Sequence, residues 1–355
     1  MRPPLAFLAR MLPPLLFCLS LAPAAERNSV SSLDIRRARE ANVFTAYFEN
    51  DLLGNTDKHY TAGTKLSWLS SDYSGWQQSE GLGRRVGDRL PLVNAPGTQK
   101  NVGIAIGQNI YTPQRKERVE PDPTDRPYAG WSYLEFSFLS KSEYRLDTLS
   151  FQLGAIGPHS YAKQVQREVH RIIASEQALG WDYQLKDEFG FNAVAERKWR
   201  LYARSVAKIL DVDVVPHLGL SLGNVQTYAN AGATARVGFN LPSDFGVQLI
   251  RPGGAGSTPI NDRDPRLSLR KSFSVFVFGA VDGRAVARDI FLDGNTFRDS
   301  PSVEKEKLVA DLTYGAGVIA GAWQVTFTQA MRTREFEQQI ENANYFGSVT
   351  VSVVF

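Results

Sequence analysis

The chain has 355 residues, 43% of them hydrophobic and 22% charged, with 40 basic against 37 acidic side chains. That length holds one large β domain or two ordinary ones, and a formal charge of only +3 gives no broad basic field of the kind that grips nucleic acid. The single cysteine, Cys18, excludes a disulfide framework and a thiolate metal centre.

Residues 1–25 read as a secretory signal peptide. Arg2 and Arg10 form a basic start, MLPPLLFCLSLAP a short apolar core, and Ala22-Pro23-Ala24 a small-residue cleavage site. Cys18 lies inside this leader, and Phe17 before it is too large for a lipoprotein site. Removing Arg2 and Arg10 leaves 38 basic against 37 acidic residues, a net charge near +1. The rest has no apolar run of about 18 residues, so no membrane-spanning helix is expected. A membrane barrel stays open, because its strands are only about ten residues of alternating polarity.

A polar lead over about 26–40 is followed by VFTAYFEN (43–50), a short loop, and GTKLSWLSS from Gly63. NVGIAIGQNIY (101–111) and GWSYLEFSFLS (130–140) flank a loop rich in Pro, Arg and Asp, and LDTLSFQLGAI (146–156) comes next. These segments alternate apolar with polar or small residues, as strands do. The stretch 157–192 differs. Ala162, Val165, Val169, Ile172 and Ile173 recur at three- and four-residue steps, predicting a helix with that apolar face, Ser160 as N-cap and Gly180 as stop. His170 lies toward its end, with Glu176 six residues on.

Alternation resumes in ERKWRLYARSV, VVPHLGLSLG, ATARVGFNL, SFSVFVFGAV, RAVARDIFLDG, KLVADLTYGAGV, WQVTFTQAMRT and NYFGSVTVSVVF. In the last, Tyr345, Gly347, Val349, Val351, Val353 and Phe355 share one face, and a final strand ending on an aromatic is what outer-membrane barrels present to their assembly machinery. The expected fold is all-β: a transmembrane antiparallel barrel over 26–355, with a short helix in an extracellular loop. Thirteen candidate strands stand against the even number of bacterial single-chain barrels. Twelve is therefore expected, with the surplus placed between 193 and 242. Both termini then face the periplasm. Glu49, Asn50, Asp51, Thr61, His170 and Glu176 converge on the extracellular rim.

Carboxylates, an amide and a hydroxyl are hard oxygen donors that suit Ca²⁺ rather than zinc. A calcium ion polarises an ester carbonyl and stabilises the oxyanion, and a neutral histidine takes a proton from water. The bland alternatives are a turn at Asn50-Asp51 and a satisfied polar histidine on the helix. Arg115, Lys116, Arg118 and Arg126, clustered before the fourth strand at the outer rim, would bind phosphates, which favour arginine forks and lysine charge, or else form a solvated charged loop.

The motifs EN-D-L from Glu49, TDKHYTAGTKLSW from Thr56, DRPYAGW (125–131), GP…QREVH (157–170), GWDYQ (180–184), RAVARDIFLDGN (284–295) and RTREFEQQ (332–339) resemble the outer-membrane lipid A 3′-O-deacylases over nearly the whole chain after the leader. That resemblance implies a twelve-stranded barrel that uses calcium to release the 3′-linked acyloxyacyl group of lipid A. It also implies that Asn50, Asp51 and Thr61 form the calcium and oxyanion site, that His170 activates water, and that Glu176 supports the metal or the histidine. The implied partners are lipopolysaccharide, the outer-membrane bilayer and the barrel-assembly machinery.

The remaining signals carry less. Gly219-Leu220-Ser221-Leu222-Gly223 fits G-x-S-x-G, but a nucleophile elbow needs a strand–turn–helix setting, and here the pattern sits inside a strand. His59 and His159 read as loop residues, and His217 as a strand position. Gly253-Gly254-Ala255-Gly256 lacks the lysine of a phosphate loop and reads as a flexible loop. An outer-membrane phospholipase with a serine nucleophile and a non-enzymatic porin are the competing readings. The first predicts a His–Ser pair on the wall, the second ion conduction.

Overall fold

Polarity alternates along the strands and decides which way the wall faces. In β1 (Val43–Asn50), Thr45, Tyr47 and Glu49 are buried while Phe44 and Phe48 are exposed. The same rhythm runs through β2 (His59–Leu69), β3 (Gln99–Thr112) and β4 (Ala129–Lys141): Leu66, Ile104, Ile106 and Leu134 stand outside, while Lys65, Asn101 and Glu135 are enclosed. A soluble domain would have the reverse. An apolar exterior around a polar interior is the arrangement of a membrane barrel.

The computed structural model describes residues 40–54, 59–173, 177–207, 209–246, 249–252, 254, 256, 258–267 and 272–355. The expected leader and Glu176 lie outside the described residues. The wall continues with β5 (Arg145–Ile156), β6 (Glu188–Trp199), β7 (Tyr202–Ala207), β8 (Leu210–Gly223), β9 (Gln226–Phe239), β10 (Phe273–Asp289), β11 (Leu308–Ala320), β12 (Trp323–Thr333) and β13 (Ala343–Val354). Neighbours pair antiparallel from β6 back to β1, across to β13 and down to β8, and β6 closes the ring on β8 between Asn192↔Gly223 and Lys198↔His217. Twelve strands form the ring. The short β7 pairs with β8 alone, at the end that carries β13's C-terminus.

The surplus strand of the sequence reading is not between 193 and 242. SFSVFVFGAV and RAVARDIFLDG are largely one 17-residue strand, β10, paired with β9 and β11. Val281-Asp282-Gly283-Arg284 looks like a turn by residue type. Cross-strand partners override that propensity: Asp282 lies 2.6 Å from the His217 ring, and Arg284 donates to Asp311 at 3.0 Å.

The connection from β9 to β10 enters the lumen instead of staying at the rim. Asp244 pairs with Arg236 and Arg266, the Ile250 N–H donates to Glu49 at 2.7 Å, and Lys65 donates to the Gly254 carbonyl at 3.1 Å. Lys141 then donates to the Pro259 carbonyl at 2.6 Å, and Ile260 packs among Ala41, Val43, Leu69 and Val354 at the terminal end. Gly254 and Gly256 therefore belong to an anchored plug rather than a flexible loop; Gly253 and Ala255 lie outside the described residues. Of the helices, α1 (Gly81–Val86) lies in the β2–β3 connection, α2 (Ala162–Ile173) follows β5, and α3 (Ile290–Asp293) follows β10.

Candidate active site

Of the predicted residues, Asn50, Asp51, Thr61 and His170 lie toward the rim opposite the termini. Asn50 ends β1, Asp51 opens the 3-10 turn Asp51–Gly54, and both are buried. On β2, the pairings Tyr60↔Tyr111 and Ala62↔Ile110 leave Thr61 as the extra residue of a bulge, a device that re-aims side chains beside functional sites. The Thr61 and Thr112 hydroxyls share a 2.7 Å hydrogen bond.

Asn50, Ala62, Ile110 and Gly130 are register partners in one row across four strands. Glu49, one residue before Asn50, faces the lumen, where Tyr60 donates to it at 2.8 Å. By alternation the row of Asn50 lies on the outer surface of the wall.

Helix α2 covers that outer surface. A side chain at Gly130 would stand 2.1 Å from Ser160 Oγ and 2.3 Å from Ala162 Cβ, so the helix start rests directly on β4. Gln108 and Ser132 each donate to the Ser160 carbonyl at 2.7 Å, and Ala162 packs with Ile110, Tyr128 and Trp181. The Ser160 hydroxyl does accept from the Ala162 N–H at 3.4 Å, while itself donating to the Gly157 carbonyl. The buried face, however, is not the apolar one expected. Ala162, Gln166 and His170, four residues apart, are the buried positions, while Val165 is 41% exposed. The Ile172 and Ile173 side chains lie outside the described residues. Gln166 accepts the Trp181 indole N–H at 2.6 Å, so a polar stripe ending at His170, itself 4% exposed, is enclosed on this helix.

The four basic residues proposed to bind phosphate do not stay together. Arg115 and Arg118 are exposed and both reach Asp122, at 3.2 and 3.4 Å. Lys116 is buried; its carbonyl accepts from the Leu179 N–H and the Tyr128 hydroxyl, tying this loop to the segment after α2. Arg126 is sequestered in the lumen mouth, 4.8 Å over the Tyr111 ring and 3.2 Å from Glu335, which takes it out of the expected cluster with Arg115, Lys116 and Arg118. Glu335 also meets Arg332 at 3.4 Å, and Arg332 is bonded to Asp311. Burial opposes the Glu335 charge, but Arg332 and Arg126 outweigh it and hold the carboxyl down at about 2. His59 lies 3.8 Å from Glu341 in the same mouth.

Sequence reasoning passed over Glu49 and Tyr60 as a pair, and the Arg126–Glu335–Arg332 mouth. The motifs DRPYAGW and RTREFEQQ contain both ends of that mouth and were its only signal. Ser221, of the G-x-S-x-G pattern, stays within β8 and donates to the Gln226 carbonyl at 3.0 Å, with no elbow around it. Among the described residues no three His, Cys, Asp or Glu side chains gather as metal ligands. A cation at the rim would depend on the buried Asp51 carboxylate, the Asn50 amide oxygen and the Thr61 hydroxyl, whose hard-oxygen chemistry fits calcium.

The family model for outer membrane protein LpxR matches residues 14–355. The chain belongs to that family. It is the family whose motifs the sequence resembles, and membership makes the chain an outer-membrane protein. No curated protein matches. Among solved structures, LpxR from Salmonella typhimurium is 18% identical and covers 88% of this chain and 100% of its own, at a TM-score of 0.69. At that identity the likeness shows the fold, a closed twelve-stranded barrel. The β domain of the Bordetella autotransporter BrkA (8% identical, 88% and 97% covered) and the KdgM porin (7%, 88% and 99%) reach TM-scores of only 0.38 and 0.34.

Proposed function

We propose that this LpxR-family barrel is a calcium-dependent esterase that removes the 3′-linked acyloxyacyl group of lipid A, working on the outer face of its wall beneath α2. The observation that carries this reading is the buried polar stripe of α2, ending at His170, on the side of the wall that bears Asn50. From Ala162 to His170 the helix rises about 12 Å, more than two strand spacings of about 4.8 Å. That is long enough to run from Gly130 on β4 toward β2 and β1. A lipid in the surrounding leaflet would reach such a site sideways, without entering the lumen. The plugged lumen speaks against the porin reading.

In this mechanism Asn50, Asp51 and Thr61, with Glu176, would hold calcium, which when bound supplies polarisation of the ester carbonyl and stabilisation of the oxyanion. His170 takes a proton from water as its oxygen attacks the carbonyl carbon, then returns that proton to the departing sugar oxygen as the C–O bond breaks. Burial of Gln166 and His170 keeps bulk water from the attacking position. Arg115, Lys116 and Arg118 would meet the lipid A phosphates, the exposed pair exchanging Asp122 for them. On this reading residues 1–25 are a cleaved leader and the far rim is the extracellular end.

The test is mass spectrometry of lipid A from cells making the protein or His170→Ala. Loss of an acyloxyacyl unit with the parent chain alone, abolished by chelation in detergent, is expected. Unmodified lipid A from both, with the barrel folded at the surface, would overturn the assignment. Hydrolysis of phospholipid instead, inhibited by a serine-directed reagent, would establish the phospholipase.

A further inference from the structure

Glu49 and Tyr60 take no part in that chemistry, yet each immediately precedes residues of the proposed site. Glu49 comes before Asn50 and Asp51, and Tyr60 before Thr61. The two meet inside the barrel. Glu49 is 0% exposed and accepts two hydrogen bonds, from the Tyr60 hydroxyl at 2.8 Å and from the Ile250 N–H of the plug at 2.7 Å. Its register partner on β2 is Gly63. A Cβ at Gly63 would stand 2.0 Å from the Tyr60 hydroxyl and 3.1 Å from Ile250 Cδ1, so the missing side chain is the space through which tyrosine and plug reach the carboxylate. Phe346, 5.1 Å away edge-on, and Tyr111, at 5.5 Å, hold the Tyr60 ring.

We propose that Glu49, Tyr60 and the Ile250 N–H form a lumen-side staple that fixes Asn50, Asp51 and Thr61 from the opposite face of the wall, making Glu49 and Tyr60 positioning residues for the reaction. This rests on the deacylase reading. The bulge at Thr61 makes the need concrete. A bulged strand lacks one regular ladder contact at that residue, and a buried hydrogen bond one residue away restores the constraint without occupying the outer face. The plug thereby becomes a third support of the site as well as a seal.

Full-length protein refolded in detergent decides it, with Tyr60→Phe, Glu49→Gln, Glu49→Ala and His170→Ala, and Tyr111→Phe as a control that removes a hydroxyl from the same aromatic cluster. Lipid A deacylation gives kcat and KM, and hydrogen exchange read by mass spectrometry follows peptides covering 49–54 and 59–63. Tyr60→Phe and Glu49→Ala are expected to lose roughly 10- to 100-fold in kcat, the range for groups that orient a site from outside it, with KM within about twofold. Exchange should quicken in those two peptides. Glu49→Gln, whose amide still links Ile250 and Tyr60, should recover most of the rate, and Tyr111→Phe should behave as the parent. Faster exchange with unchanged kcat overturns the positioning role, and unchanged exchange overturns the staple itself. A fully active His170→Ala would mean the deacylase chemistry is wrong, whereas an inactive His170→Ala beside a fully active Tyr60→Phe sinks only the positioning role.

Discussion

Glu335 shows what a single carboxylate does at the lumen mouth. Its carboxyl, held at about 2 against an ordinary 4.5, is depressed, so it stabilises the fold fully above the ordinary value and loses that contribution as pH falls toward 2. At 1.36 kcal/mol per unit, the difference is about 3 kcal/mol. Glu335→Gln is expected to lower unfolding stability by about that much at pH 7, and the gap to the parent should close near pH 2. Urea unfolding in micelles at the two pH values checks it, and an equal loss at both would mean that charge is not the cause. At the same scale, His170→Gln is expected to cost roughly 10²- to 10⁴-fold in kcat, as for a lost general base, with the unfolding midpoint unmoved. Asn50, Asp51, Thr61 and His170 could be picked out of the sequence as candidates because polar residues at strand ends and on an isolated helix stand out. Glu49 stood among those rim candidates, but its turn into the lumen toward Tyr60 was not legible, since that depends on Ile250, 201 positions from Glu49.

Among the elements, α2 departs most from its apparent pattern. Spacing alone put Val165 on the packed face, but the buried positions are Ala162, Gln166 and His170, with Ala162 against Ile110 and Gly130 of the wall and Gln166 bonded to Trp181. Helical period says which residues share a face, not which face a neighbour will cover, and here the neighbour offers polar groups and a glycine. Cys18 is the only cysteine, so after its replacement by Ser introduced thiols report cleanly. Val165→Cys is expected to react with a polar maleimide in micelles within minutes, and Gln166→Cys to stay protected; the reverse order would restore the apolar-face packing. Gly130→Val should push Ser160 and Ala162 off β4, given the 2.1 and 2.3 Å approaches there. Activity should then fall while the heat-sensitive gel mobility of the folded barrel persists. β10 teaches a related lesson. An Asp-Gly in sequence promises a turn, yet His217 and Asp311 hold Asp282 and Arg284 in an unbroken strand.

For the whole molecule, the plug anchored by Glu49, Lys65 and Lys141 predicts a closed lumen. Planar-bilayer recordings are expected to show no steady single-channel conductance, and replacing 245–262 by a short Gly-Ser link should open one; steady conductance in the parent would contradict the plug. The sequence by itself determined the inside-out wall, the antiparallel class and the rim on which the candidate residues gather. These follow from strand alternation and connection order, both local along the chain. Only the tertiary structure decided the 17-residue β10, the filling of the lumen by the β9–β10 connection, the removal of Arg126 to the mouth, and the polar side that α2 buries. Each depends on which distant groups closure of the ring brings within hydrogen-bonding reach, and a buried charge or polar stripe settles where partners wait for it.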